Sequence, residues 1–201
     1  MRIVCVHIPD LSVQAVLRER FDDVNIQVPL ALVEGPEERR RVVAASTFAY
    51  DCGVRPPQSL AAARGTCPEI VVVPNDPEQT REALHSIADV LRSFGPIVSL
   101  APPFDAFVDT TGVAGVDVSC LAIAETVRLL GFEVKVAAAT TPFAAQALAS
   151  HAATFEHPVE HAPGTPENRA VGRLPLSAAG LPPQTFESLR VVGIRTVGAF
   201  M

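Results

Sequence analysis

Apolar residues along this chain fall into short runs alternating with helical patterns, and that alternation sets the expected order of elements. Residues 3–8 read as a buried strand, and residues 11–20 as a helix with Val13, Val16 and Leu17 at helical spacing and Asp10 placed to cap it. Residues 30–33 and 41–44 form an expected strand pair across the polar turn at 34–38. A short helix over 59–63 and a strand over 70–73 follow. Pro77 then opens a long helix to about residue 94, with Leu84, Ile87, Ala88 and Leu91 on one face.

Further strands are expected over 97–100 and 106–109, separated by Ala101, Pro102 and Pro103. An amphipathic helix over 118–130 is stopped by Gly131, and residues 134–139 form one more strand. The string predicts an α+β fold, a mixed sheet backed by helices. Residues 151–173 lose periodicity and are rich in Pro, Gly, His and Glu, as a linker is. Beyond them, residues 181–200 read as helix, Gly-bounded turn and helix. Gly193 and Gly198 bracket Ile-Arg-Thr-Val, which fits a helix-hairpin-helix whose backbone N–H groups meet a phosphate; Gly193, Arg195 and Gly198 are the candidate DNA-backbone residues, and a plain turn between helices remains the alternative. The second helix is cut short at Met201, which reads as a piece of a longer chain.

Composition narrows the classes of function. The chain has 201 residues, 48% of them hydrophobic and 19% charged, which suffices for one large or two small cores. No apolar run approaches a bilayer span and no signal-peptide pattern opens the chain, so the cytoplasm is the expected location. Net charge is −6 with a single lysine, Lys135, which argues against tight autonomous binding of a polyanion. Cys5, Cys52, Cys67 and Cys120 are scattered without zinc or redox-motif spacing and are expected to be reduced and structurally inert.

Three segments carry candidate chemistry: residues 4–10 (Val-Cys-Val-His-Ile-Pro-Asp), residues 45–55 (Ala-Ser-Thr-Phe-Ala-Tyr-Asp-Cys-Gly-Val-Arg) and residues 101–111 (Ala-Pro-Pro-Phe-Asp-Ala-Phe-Val-Asp-Thr-Thr). Their order and spacing resemble the palm and fingers of Y-family translesion DNA polymerases, and the likeness runs over essentially the whole chain. It implies a palm of mixed or antiparallel sheet over residues 1–20 and 75–155, small fingers over 21–74, and a linker with a partial helix-hairpin-helix thumb over 156–201.

The same resemblance shows what is replaced. Ile8 stands where the family's first metal-binding Asp belongs, with Asp10 at the second acidic position and Ser12 and Val13 at the aromatic pair. In the second signature Phe104 replaces an essential Asp, and Asp105 replaces the Glu. Thr47 and Tyr50 occupy the fingers positions of a Tyr and an Arg that hold triphosphate, and Pro142 and Gln146 occupy those of two palm lysines. Scaffold positions persist at Gly53-Val54-Arg55-Pro56, Cys67-Pro68 and Asp109. Two-metal phosphoryl transfer needs several anionic oxygens around paired divalent ions, and one carboxylate does not supply them.

Erased chemistry on a kept scaffold is similar to the ImuB group within that family. It implies a non-catalytic adaptor of translesion synthesis with no cofactor, and no metal at these positions. Its implied partners are an error-prone C-family DNA polymerase, a RecA-like ImuA-type protein and the sliding clamp, mostly through a C-terminal region absent from these residues. The competing expectation is an active error-prone polymerase that holds Mg2+ at a relocated site using Asp10, Asp105 and Asp109. Asp105 and Asp109 otherwise read as a solvated edge and a turn cap. His151, His157 and His161 read as a linker or a zinc site. Arg39, Arg40 and Arg41 read as a template-phosphate contact or a solvated hairpin paired to Glu37 and Glu38.

Overall fold

A computed structural model describes residues 1–21, 27–114, 118–159 and 167–200, the first two of the last segment by backbone alone. The described chain separates into two compact units: residues 1–8, 87–130 and 134–201 form one, and residues 9–86 with 131–133 form the other. The single mixed sheet expected from the pattern is two sheets, one in each unit.

In the first unit, β1 (Ile3–His7), β5 (Ile97–Ala101), β6 (Asp105–Asp109) and β7 (Lys135–Ala139) make an antiparallel sheet in the order β5-β6-β1-β7. Because β1 is central and both its faces are covered, it is apolar almost throughout: Val4, Cys5 and Val6 are fully buried. One face packs against α6 (Pro142–His151), whose Ala144, Ala145, Ala147, Leu148 and Ala149 share a core with Ile3, Cys5, Ala137 and Ala139. Thr141 caps this helix by accepting the Ala144 N–H at 3.2 Å, and Pro142 occupies its first turn, where a missing N–H costs nothing. Helix α5 (Cys120–Arg128), shorter than the 118–130 expected, packs on β7 and is capped by Ser119.

The expected linker over 151–173 is in part structured, apart from residues 160–166, which lie outside the described residues. Val159 exchanges hydrogen bonds with Val136 and Ala138 at 2.9 Å each, so it pairs along the edge of β7. Helix α7 spans Glu167–Gly172, and Val171, Leu174 and Ala178 join the core under α6. Proline and charge hide this in the sequence because the buried contribution comes from isolated aliphatics, not from a periodic run. α8 (Pro183–Val191) buries none of its residues, whereas α9 (Val197–Phe200) anchors through Val197. Gly198 lies so close to Gly172 that a Cβ on it would sit 2.9 Å from the Gly172 carbonyl oxygen.

The second unit holds α1 (Leu11–Phe21), β2 (Leu30–Glu34), β3 (Arg41–Ala45), α2 (Thr47–Asp51), α3 (Leu60–Thr66), β4 (Val71–Pro74) and the first part of α4 (Pro77–Leu91). Its sheet runs β3-β2-β4, antiparallel then parallel. Val13, Val16 and Leu17 of α1 pack against Leu30, Leu32 and Val73 of this sheet. Asp10 enters the helix in a left-handed conformation (φ 51°), and its carbonyl accepts from Val13 and Gln14. Ser46 caps α2 through Ala49 N–H while also accepting from Leu30 N–H at 2.9 Å and donating to Val28 O at 2.7 Å. A cap so embedded is worth about 1 kcal/mol.

Candidate functional site

Strand register brings the first group of candidates together. His7 and Asp105 are direct cross-strand partners on β1 and β6, and Cys5 with Phe107 is the next pair on that face. Ile8 follows the strand, fully buried, and its N–H donates to the Phe104 carbonyl at 2.8 Å. The backbone therefore holds positions 8 and 104 side by side, as a shared metal site needs. The side chains there are hydrocarbon and offer no ligand atom.

The surviving carboxylate is already occupied. Asp105 is buried, and its Oδ1 accepts from His7 Nδ1 at 2.8 Å while its Oδ2 accepts from Gln146 Nε2 at 2.7 Å. Since the partner is an acceptor, His7 carries its proton on Nδ1. The Cys5 thiol is a weak third donor at 3.8 Å from Oδ1. Burial, followed by the charge of Asp105, pushes that thiol well above its ordinary value, so it stays protonated. Three donors of this kind suit an acceptor-only carboxylate and leave it little capacity for a cation.

Two further basic side chains, Lys135 and His151, lie near His7. Lys135 stands opposite His7 in the register of β7, with its ammonium over the Phe155 ring at 5.4 Å. Burial, and after it His7 and Lys135, push the His151 imidazole below its ordinary value. A divalent ion here would displace both hydrogen bonds of the one carboxylate present, so the residues present do not fit a two-metal centre. Among the described residues no group of three or more His, Cys, Asp or Glu side chains is arranged to hold a metal ion.

Asp109 does not join Asp105. Its Oδ1 accepts from Thr111 N–H at 2.9 Å, and hydrogen bonding by Thr111 holds its carboxyl below the usual range, as a turn cap does. Asp10 belongs to the second unit.

In that second unit, Thr47 opens α2 and is exposed, while Tyr50 is partly buried. Burial first, then the charge of Asp10, pushes the Tyr50 phenol above its ordinary value, with Arg55 opposing. Arg55 itself bonds the Tyr50 and Val54 carbonyls and stacks over the Tyr50 ring at 5.3 Å. The position of a phosphate-binding arginine thus holds a neutral ring, and the nearby guanidinium braces the turn after α2.

Pro142 lies exposed at the start of α6, one turn from Gln146. Gly193 takes φ 87° after α8, and the Gly193 and Ile194 N–H groups donate to the Arg190 and Leu189 carbonyls, so these two are not free donors for a phosphate. The Arg195 carbonyl accepts from Leu176 N–H at 2.8 Å, its side chain being exposed, and Gly198 packs on Gly172. Arg41 donates to the Pro57 carbonyl at 3.3 Å, and no ion pair among the described residues joins Arg39, Arg40 or Arg41 to Glu37 or Glu38; the expected internal pairing is absent there. His157 is exposed beside Val159 on the edge of β7, His151 meets the Ser150 and Ser177 hydroxyls, and His161 lies outside the described residues.

Sequence reasoning missed the partners of Asp105. In the sequence His7 is only one residue of the 4–10 segment, and Gln146 only a replaced lysine. The register of β1 against β6 was the missing signal, because it sets residue 7 and not residue 8 opposite 105.

With this geometry in hand, known proteins are informative. A family model described as impB/mucB/samB matches residues 13–150. DNA polymerase IV of Clostridium acetobutylicum is 30% identical over 125 residues, 59% of this chain and 32% of that protein. DNA polymerase IV of Dehalococcoides mccartyi is 26% identical over 197 residues, 94% of this chain and 48% of the relative. The chain therefore spans less than half the length of these curated relatives. Among solved structures, DinB from Sulfolobus solfataricus matches with a TM-score of 0.76 at 16% identity, over 98% of this chain and 58% of the other. A post-insertion binary complex of Dbh DNA polymerase matches with a TM-score of 0.80, also at 16% identity and the same two coverages. The α+β architecture is thus that of Y-family polymerases, with the antiparallel sheet as a palm. No described helix is long and apolar enough to cross a membrane.

Proposed function

The chain belongs to the impB/mucB/samB family, and on that premise we propose that it is a non-catalytic Y-family polymerase-like scaffold of bacterial DNA damage tolerance and inducible mutagenesis, of the ImuB type. The observation that carries this reading is the occupied state of Asp105, held by His7 and Gln146 where paired metal ions would need open oxygens. Ile8 and Phe104 supply hydrocarbon at the other two ligand positions. Magnesium dehydrates reluctantly and demands near-octahedral oxygen ligation, so losing two carboxylates removes binding instead of weakening it. Pro142, Gln146, Thr47 and Tyr50 add no cation for a triphosphate.

A scaffold of this kind acts by presenting surfaces. The partners that the resemblance implies are an error-prone C-family polymerase, a RecA-like protein and the sliding clamp, in the cytoplasm, with weak or assisted DNA contact. The second reading, an active polymerase, is favoured by the name that the curated relatives carry, DNA polymerase IV. Primer extension with Mg2+ or Mn2+ decides between them. The scaffold gives no dNTP incorporation above background beside an active DNA polymerase IV control. Incorporation that disappears in Asp105→Ala would falsify the scaffold reading.

A further inference from the structure

The four cysteines look scattered in sequence, yet the fold brings two of them together in the second unit. Cys52 ends α2, its N–H donating to the Phe48 and Tyr50 carbonyls, and Cys67 ends α3, its N–H donating to the Ala63 carbonyl. The two helix ends approach closely: a Cβ on Gly53 would lie 3.0 Å from Thr66 Cγ2. Ala49 and Val54 on one side and Ala63 and Cys67 on the other belong to the same core, which fixes both chain segments. Cys52 immediately precedes Gly53 and Cys67 immediately follows Thr66, so this approach sets the two cysteines on adjoining chain segments. Cys52 is exposed, whereas Cys67 is 3% exposed.

We propose that Cys52 and Cys67 form an oxidation-sensitive pair that closes into a disulfide when the protein meets a peroxide. The exposed Cys52 thiolate attacks one peroxide oxygen; the O–O bond breaks, the leaving hydroxide takes a proton to become water, and Cys52 becomes a sulfenic acid. Cys67 then gives up its proton and attacks the Cys52 sulfur, so that the S–S bond forms, the S–O bond breaks and a second water leaves. Two thiols lose two electrons and one peroxide is reduced to two waters. Cys52 is the exposed thiol of the two and meets the oxidant first, while burial pushes the Cys67 thiol up. Cys5 and Cys120 are fully buried and do not meet the oxidant. The bridge ties the end of the helix bearing Thr47 and Tyr50 to the end of α3, independently of whether DNA or nucleotide binds.

The test uses the full chain, treated with hydrogen peroxide under native conditions, alkylated, denatured and digested with trypsin. Arg55 precedes Pro56 and resists cleavage, so the diagnostic product joins peptides 42–64 and 65–81, lighter by two hydrogens than its reduced parts and separated by dithiothreitol. Cys5 and Cys120 should remain free thiols, and the thermal midpoint should rise on oxidation because the closed loop restricts the unfolded chain. Cys67 is a core residue whose replacement endangers folding, so the control is the exposed Cys52→Ser, which should lose both the product and the shift. Oxidation that stops at a Cys52 sulfinic acid, or that joins Cys52 of two molecules while Cys67 remains alkylatable, overturns the proposal.

Discussion

Gln146 reaches from α6 to place its Nε2 2.7 Å from Asp105 Oδ2, at the position where the family resemblance calls for a lysine. A neutral amide there satisfies a buried carboxylate oxygen without bringing a charge, and His7 satisfies the other. Together they make a hydrogen-bonded plug from what the resemblance marks as a ligand.

Removing one side of that plug leaves a buried oxygen unpaired. Gln146→Ala should lower unfolding stability by about 1–3 kcal/mol in urea titrations. A change below about 0.5 kcal/mol, the usual range of a surface substitution, would mean that the amide contributes nothing.

Restoring the family's acid one position at a time should harm this chain. Ile8 is fully buried with its N–H bonded to Phe104, and Ile8→Asp should cost on the order of 4 kcal/mol. Millimolar Mg2+ should not recover the loss, and EDTA should leave the parent's thermal midpoint unchanged. A magnesium-dependent rise in the midpoint of either protein, read by differential scanning fluorimetry, would show that a metal is held after all.

Asp109 sets an acid limb. Its folded-state carboxyl lies below the ordinary value of 3.8 because Thr111 hydrogen-bonds the charged form. A depressed folded value stabilises the protein above 3.8, and the contribution fades as pH falls through 3.8 to the folded value. Asp109→Asn should therefore flatten the stability profile below about pH 4 while leaving its slope near neutrality unchanged; unfolding curves across pH 2 to 6, a range of about four units, read this directly. An unaltered acid limb refutes the assignment.

Two glycines should respond in opposite directions to alanine. A Cβ at Gly95 would lie 2.2 Å from the Asp109 carbonyl oxygen, whereas one at Gly65, inside α3, meets nothing within 4 Å. Gly95→Ala should destabilise by at least about 1–3 kcal/mol. Gly65→Ala should stabilise by about 0.5–1 kcal/mol, because it relieves the backbone entropy cost of glycine in a helix. Matching signs in chemical denaturation would contradict the packing described at Gly95.

Most of the element order was legible in the sequence, because strands such as β1 and β7 are continuous apolar runs and α4 shows a strong face. The hydrophobic pattern alone does not divide the strands into two sheets, since nothing local distinguishes a strand that joins β2 from one that joins β1; only the resemblance sets residues 30–33, 41–44 and 70–73 apart, as fingers. The segment after α6 reads as a linker because its apolar residues that pack on the core, Val159 and Val171, stand singly, without a period. At the candidate site, the replaced positions Ile8 and Phe104 could be found by resemblance. The pairing of His7 and Gln146 with Asp105, and the approach of the chain segments that carry Cys52 and Cys67, depend on register and on the closeness of helix ends, and neither leaves a trace in spacing.

The alanines of α6 work as a spacer. Side chains of one carbon let the helix lie flat on β1 and β7, so the gap from its axis to the carboxylate is spanned by the three rotatable bonds of a glutamine. Widening that floor with a bulkier residue at Ala145 or Ala149 would lift the amide out of range, so the identity of residue 146 is dictated in part by the small neighbours that set the height of its helix.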